Sequence, residues 1–106
     1  MTDKNFVHLE GLIVGDVSFK TATNEKPYCS FVVRTETKEN NGIAISNVCV
    51  FVFDTKNMEY LKRVNAREGH RVCVNAYIRI AKKEIHGETI MQTMITVSDV
   101  HLIKTS

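Results

Sequence analysis

Apolar and polar residues alternate along most of this chain, and each alternating run divides into two faces. From Val48 to Phe53 one face carries Val48, Val50 and Val52, and the other carries Cys49, Phe51 and Phe53. From Val72 to Ile80 one face is apolar throughout, with Val72, Val74, Ala76, Ile78 and Ile80, while Cys73, Asn75, Tyr77 and Arg79 form a mixed opposite face. Residues 28–35 repeat the pattern, setting Cys29, Phe31 and Val33 against Tyr28, Ser30, Val32 and Arg34. A period of two means strands, and residues branched at Cβ suit the pleat.

Residues 5–20 predict a further strand, with Val7, Leu9 and Ile13 in one parity and Gly11 and Gly15 marking bulges or bends. The last strand is predicted from Thr89 to Ile103, with Ser98 and Asp99 breaking its alternation. Between the third and fourth strands, residues 54–69 read as a helix. Asp54 or Thr55 caps its start, Met58, Leu61 and Ala66 give it an apolar side, and Gly69 ends it. Residues 36–46 and 82–88 read as loops, with glycines suited to hairpin turns. The order strand, strand, strand, helix, strand, strand predicts an all-β, five-stranded Greek-key barrel of the OB-fold type, occupying residues 1–106 as one domain.

Composition changes this picture only at its edges. A chain of 106 residues with 43% hydrophobic and 25% charged residues supports one core and excludes disorder. Its net charge of +2 permits a nucleic-acid partner without requiring one. Cys29, Cys49 and Cys73 include no Cys-x-x-Cys pair and lie in apolar runs, so neither a disulfide framework nor a zinc site is expected. His8, His70, His86 and His101 never fall at helical ligand spacing, and no phosphate loop or nucleophile elbow occurs. No enzyme activity, cofactor or metal is expected. The opening residues carry no signal or transit pattern and no run is long enough to span a membrane, which gives the expectation of a cytoplasmic, nucleoid-associated protein.

The ordered set of motifs from residue 5 to 103 resembles the bacterial single-stranded DNA-binding protein family. The likeness rests on Asn5-x-Val7-x-Leu9-x-Gly11-x-Ile13 with Asp16, and on Cys29-Ser30-Phe31-Val32-Val33 followed by Thr35. It continues in the strand ending at Phe53 and in Arg67-Glu68-Gly69-His70-Arg71-Val72. The resemblance implies an OB barrel that binds single-stranded DNA, with RNA left open, in replication, recombination or repair. In that family tryptophans stack the bases, and this chain has none. Asn47 stands at one such place, Thr37 or a neighbour at another and Lys83 at a third, while Val17 replaces an expected proline. The family's glycine- and proline-rich acidic-tipped tail has no counterpart after Lys104-Thr105-Ser106. The expectation is either a trimmed domain or a tailless relative similar to primosomal replication protein N (PriB).

Single-strand binding needs flat side chains for bases and a basic track for phosphates. If Val48, Val50 and Val52 fill the barrel, Phe51 and Phe53 point outward, and the same parity places Tyr77 and Arg79 outside on the fourth strand. Phe53, Phe51 and Tyr77 are the expected stacking platform, beside Asn47. Arg34, Lys38, Arg79, Lys82 and Lys83 are the expected phosphate contacts. Phe31 and Tyr60 read as structural, and Phe19 suits either role. The resemblance further implies first strands paired edge to edge in a homodimer or homotetramer, which points to Phe6, His8 and Glu10 as interface residues. Replication or helicase proteins are the further partners that the resemblance implies. The competing reading is an OB-fold module whose Phe51 and Phe53 bind protein and whose basic residues only solubilise.

Overall fold

The computed structural model of the chain describes residues 4–103. Lys104, Thr105 and Ser106, which the sequence reading places after the last strand, lie outside these, as do residues 1–3. The described elements are β1 (Val7–Thr21), β2 (Pro27–Glu39), β3 (Gly42–Val52), α1 (Thr55–Arg63), β4 (Arg71–Ile85) and β5 (Glu88–Leu102). They close into a barrel in the order β1-β2-β3-β5-β4, as the strand order predicts. All neighbours are antiparallel except β3 and β5, whose short parallel contact through Val50↔Ile95 and Phe51↔Thr96 seals the barrel.

β1 belongs to two walls at once. Val7–Leu12 pair with β4 and Leu12–Thr21 pair with β2, so the strand must bend between them. Gly15 takes a φ of +76°, and the β1–β2 register shifts between Val14 and Ser18, which makes this the bulge that the glycine predicts. Gly11 serves differently: its missing Cβ leaves room for the carbonyl of Arg34, with which any larger residue would collide. The break at Ser98 and Asp99 is a second bulge. Asn75 faces Asp99 but Ala76 faces Val97, leaving Ser98 over, and its hydroxyl donates to the Asn75 carbonyl at 3.0 Å.

The predicted inward parities fill the core with Ile13, Cys29, Phe31, Val33, Val50, Val52, Val72, Val74, Ala76, Val97 and Val100. α1 closes one end of the barrel with Met58 and Leu61. Asp54 caps it, accepting from the Asn57 backbone N–H at 2.9 Å, and the buried Asn57 amide also donates to the Ser98 carbonyl at 3.1 Å. Tyr60 is structural as expected, its hydroxyl accepting from the Leu102 N–H at 2.8 Å.

Three expectations need correction. The helix ends at Arg63, not at Gly69, because Asn65 adopts a left-handed φ of +54°. The N–H groups of Asn65 and Ala66 then bond to the carbonyls of Lys62 and Leu61, a helix stop for which asparagine substitutes for glycine. Gly69, with φ +94°, instead shapes the turn that docks on β1 through Gly69 N–H to Ile13 O at 3.0 Å. Residues 36–46 and 82–88 are not loops, since β2–β3 and β4–β5 run on as long hairpin arms. The β4–β5 arm closes in a two-residue turn, His86-Gly87, both with positive φ, as twist-matched hairpins require. Ile78 and Ile80 keep the core parity but are 44% and 53% exposed, because β4 has by then left the barrel. The arms account for a radius of gyration of 15.2 Å, above the ~13 Å of a compact chain of this length.

Candidate nucleic-acid interface

Outward residues of β2 and β3 form one continuous surface. The two strands pair without irregularity from Cys29↔Val52 to Glu39↔Gly42, so alternation holds along the full arm. Tyr28, Ser30, Val32, Arg34, Glu36 and Lys38 share the outward face of β2. Ile43, Ile45, Asn47, Cys49 and Phe51 share that of β3, and Phe53 follows just beyond the strand end.

At the barrel end of this surface three rings form a ladder. Tyr28 and Phe53 have centroids 5.9 Å apart at an interplanar angle of 29°, and Phe53 and Phe51 are 6.4 Å apart at 13°. Phe53, 40% exposed, is the central rung, and Phe51 and Tyr28 are half-buried. Beside Phe53 lies a cleft of about 500 Å³ walled by Lys26, Pro27, Arg79 and Met94. This brings Arg79 beside Phe53, together with Lys26 and Met94, which the sequence pattern does not single out.

Tyr77 faces outward at 39% exposure, but it does not join the ladder. The register runs Phe51, Thr96, Tyr77 across β3, β5 and β4, so one strand separates the two rings. Thr96 is buried between them, and its hydroxyl finds no hydrogen-bond partner. Asn47 is exposed and lies directly opposite Arg34. Arg34 is exposed too and makes a loose ion pair with Glu36 at 3.8 Å, the kind of surface contact that contributes little stability. Lys38 faces Ile43 near the tip of the β2–β3 arm.

Lys82 and Lys83 need separating. Both sit within β4 rather than in a loop, and successive strand residues point to opposite faces. Lys83 shares the face of Tyr77 and Arg79, whereas Lys82 shares that of Ile78 and Ile80. Charge therefore follows the aromatic surface through Lys26, Arg34, Lys38, Arg79 and Lys83.

No protein-family model matches the chain, and no curated protein matches it in sequence. Solved structures do. A single-stranded DNA-binding protein from Plasmodium falciparum, in complex with single-stranded DNA, superposes with a TM-score of 0.80 at 16% identity, covering 98% of either chain. The mitochondrial single-stranded DNA-binding protein Rim1 from S. cerevisiae gives 0.73 at 17% identity over 99% of this chain and 100% of its own. A second crystal form of Rim1 gives 0.72 at 18%, over 98% and 100%. The chain has the OB fold.

Within the OB barrel, Tyr28 is the residue the sequence reading undervalued. Its outward parity was legible, but its contact with Phe53 depends on β2 and β3 being in register, which no local pattern reveals. Ile43 and Ile45, 65% and 52% exposed, were hidden by reading their segment as a loop. Phe19 turns out to serve the helix end of the barrel, where the Lys62 ammonium lies 5.0 Å from its ring centroid.

The expected interface residues gather on another wall. Phe6 is 69% exposed ahead of β1. Asn5 extends the β1–β4 pairing by imitating a strand, its side chain bonding both the Ile78 N–H, at 2.8 Å, and the Ile78 carbonyl, at 2.6 Å. His8 contacts Asn75 at 2.7 Å and Glu10 at 3.4 Å, and these two hydrogen bonds, the first the stronger, raise its pKa. Among the described residues, no helix is long and apolar enough to cross a membrane.

Proposed function

We propose that this protein binds single-stranded DNA without catalysing a reaction, using the Tyr28–Phe53–Phe51 ladder to stack bases. The ladder is the observation that carries the reading: a half-exposed row of near-parallel rings on the outward β2–β3 surface, bordered by Arg79 and Lys26, with Arg34 further along the same face. Every base has a π face, so such a platform tolerates any sequence, and each stacked base contributes about 1–3 kcal/mol. Basic residues along the same surface supply phosphate contacts whose strength falls with salt. The structural neighbours, all three named for single-stranded DNA binding, support the same reading.

Phe53, Phe51 and Tyr28 are the stacking residues in this proposal, and Tyr77 extends the surface one strand further. Arg34, Lys38, Arg79 and Lys83 hold phosphates, with Asn47 as a polar contact beside Arg34. The cellular role is replication, recombination or repair. Phe6, His8 and Glu10 lie along the free side of β1 in a homodimer or higher assembly.

Fluorescence anisotropy with a labelled oligothymidine, run against duplex and over a salt series, tests the function. Binding that prefers the single strand and weakens linearly in log–log form with salt is expected. Absence of binding at ~50 mM salt would leave the exposed Ile43 and Ile45 as the better guide, and they favour an OB module that docks protein.

A further inference from the structure

The wall built by β1, β4 and β5 carries chemistry that nucleic-acid binding does not use. β1 turns His8 and Glu10 to the same side, since side chains two apart on a strand point alike. Antiparallel pairing sets Glu10 opposite Cys73 and His8 opposite Asn75. One donor atom from each of His8, Glu10 and Cys73 consequently lies within 4.8 Å of the other two. His8 Nε2 is 3.4 Å from Glu10 Oε2 and 3.8 Å from Cys73 Sγ.

We propose that His8 Nε2, the Glu10 carboxylate and the Cys73 sulfur form a three-ligand site for a divalent transition-metal ion of the Zn²⁺ type. Metal–N and metal–O bonds of ~2.0 Å and a metal–S bond of ~2.3 Å, at tetrahedral angles, separate the donors by about 3.3–3.6 Å. The His8–Glu10 separation already fits, the His8–Cys73 separation needs to close by a few tenths of an ångström, and Glu10 and Cys73, whose donor atoms lie within 4.8 Å, approach by rotation of the exposed Glu10 side chain. Asn75 orients the imidazole: its Oδ1 accepts from His8 Nδ1 at 2.7 Å, which turns Nε2 toward Glu10 and Cys73 as the nitrogen that coordinates once its proton has left. Such an outer partner commonly fixes the tautomer of a metal-bound histidine. Mixed nitrogen, oxygen and sulfur donors suit Zn²⁺ or Co²⁺ and disfavour Ca²⁺ and Mg²⁺, which take oxygen.

On binding, the Cys73 S–H bond and, where His8 is protonated, its Nε2–H bond break, the protons pass to the buffer, and the freed sulfur and nitrogen lone pairs form the metal bonds. Thiolate and carboxylate together neutralise the two positive charges, and water completes the tetrahedron. The sequence hides this site because Cys73 is distant in the chain from His8 and Glu10, and only the ladder brings them together.

The test is titration of the reduced full chain with Co²⁺, followed by back-titration with Zn²⁺. A sulfur-to-cobalt charge-transfer band in the near ultraviolet, with intense visible bands of tetrahedral cobalt, should appear at one ion per chain and be lost on adding Zn²⁺. The band should disappear in Cys73→Ser and persist in Cys49→Ser. Because Cys73 is buried, His8→Ala and Glu10→Gln, at exposed positions, provide the second arm, and each should weaken binding at least tenfold. Absence of the band in the unmodified chain, or full retention of affinity in either exposed variant, would overturn the proposal. Oligonucleotide binding is not involved in the readout, so failure here and failure of the DNA-binding reading are distinguishable, and sedimentation of His8→Ala and Glu10→Gln separates loss of a ligand from a change in the β1 assembly proposed above.

Discussion

The ring of Phe53 lies between those of Tyr28 and Phe51, 5.9 Å from one and 6.4 Å from the other, on a surface that faces away from the barrel core. A ring in that position can pass stacking along in both directions. Phe53→Ala should therefore weaken oligothymidine binding by about 1–3 kcal/mol, roughly a 5- to 150-fold rise in Kd. Tyr28→Ala should cost less, because it removes an end rung. Anisotropy titrations measure both, and an unchanged Kd for Phe53→Ala would remove the ladder from the binding site.

Lys82 and Lys83 are adjacent in sequence and opposite in space. If the Arg79 face holds phosphates, Lys83→Ala should lower the slope of log K against log salt by about 0.7, the value of one phosphate contact on a single strand. Lys82→Ala should leave the slope unchanged. Equal effects from the two would place the DNA along the edge of the β4–β5 arm instead of on one face.

Parity along β3 and β4 was legible in the sequence because a strand's period is fixed by its backbone: Val50, Val52, Val72 and Val74 are buried as that period requires, and Val48 is partly buried against them. The same reasoning failed at Ile78 and Ile80 because parity says which way a side chain points, not whether anything lies there to cover it. The ends of the helix show a similar limit. Asp54 is a local signal and reads correctly, whereas Asn65 and Gly69 can each end a helix, and docking of the following turn on Ile13 goes with the earlier stop. Of the candidate site, Phe51, Phe53 and Arg79 were accessible from pattern and resemblance. Tyr28 as a stacking partner and Met94 as a wall of the cleft required the register between strands.

Gly11 is a packing requirement rather than a hinge. A Cβ there would meet the Arg34 carbonyl, which is held in the β1–β2 ladder and has little freedom to retreat. Gly11→Ala should lose about 1–3 kcal/mol through overpacking. For a domain of this size that corresponds to a fall in Tm of roughly 4–8 °C per kcal/mol, measurable by thermal melting. Because Arg34 sits on the binding surface, the variant should also reduce oligothymidine affinity. A Tm equal to that of the unmodified chain would show that β1 can move away from β2 at little cost.

Cys49 offers a footprint of the surface. It is exposed on the outward face of β3 between Asn47 and Phe51, although partial burial raises its pKa and slows its reaction. In a Cys73→Ser background, Cys49 should be the thiol that a disulfide reagent labels in the native chain, and saturating oligothymidine should slow the labelling. Unaltered labelling would move the strand off the middle of β3.

Cys29 provides a test of the core by pH. It is fully buried, and desolvation raises its pKa from 9.0 to about 11, only partly offset by Lys62. The folded chain therefore keeps the proton where the unfolded chain has lost it. Stability linked to this thiol is fully present below pH 9 and declines as pH rises through about 11, since in that interval unfolding releases a proton. A shift of about two units corresponds to roughly 3 kcal/mol at most. Lysines and tyrosines titrate in the same interval, so the quantity to measure is a difference: urea unfolding of the unmodified chain and of Cys29→Ala, each at pH about 8 and about 11. Cys29→Ala should be the less stable at the lower pH, from the cavity it leaves, and the gap should narrow or reverse at the higher pH. A constant gap would mean that the thiol ionises without penalty and that water reaches the barrel interior beside β2.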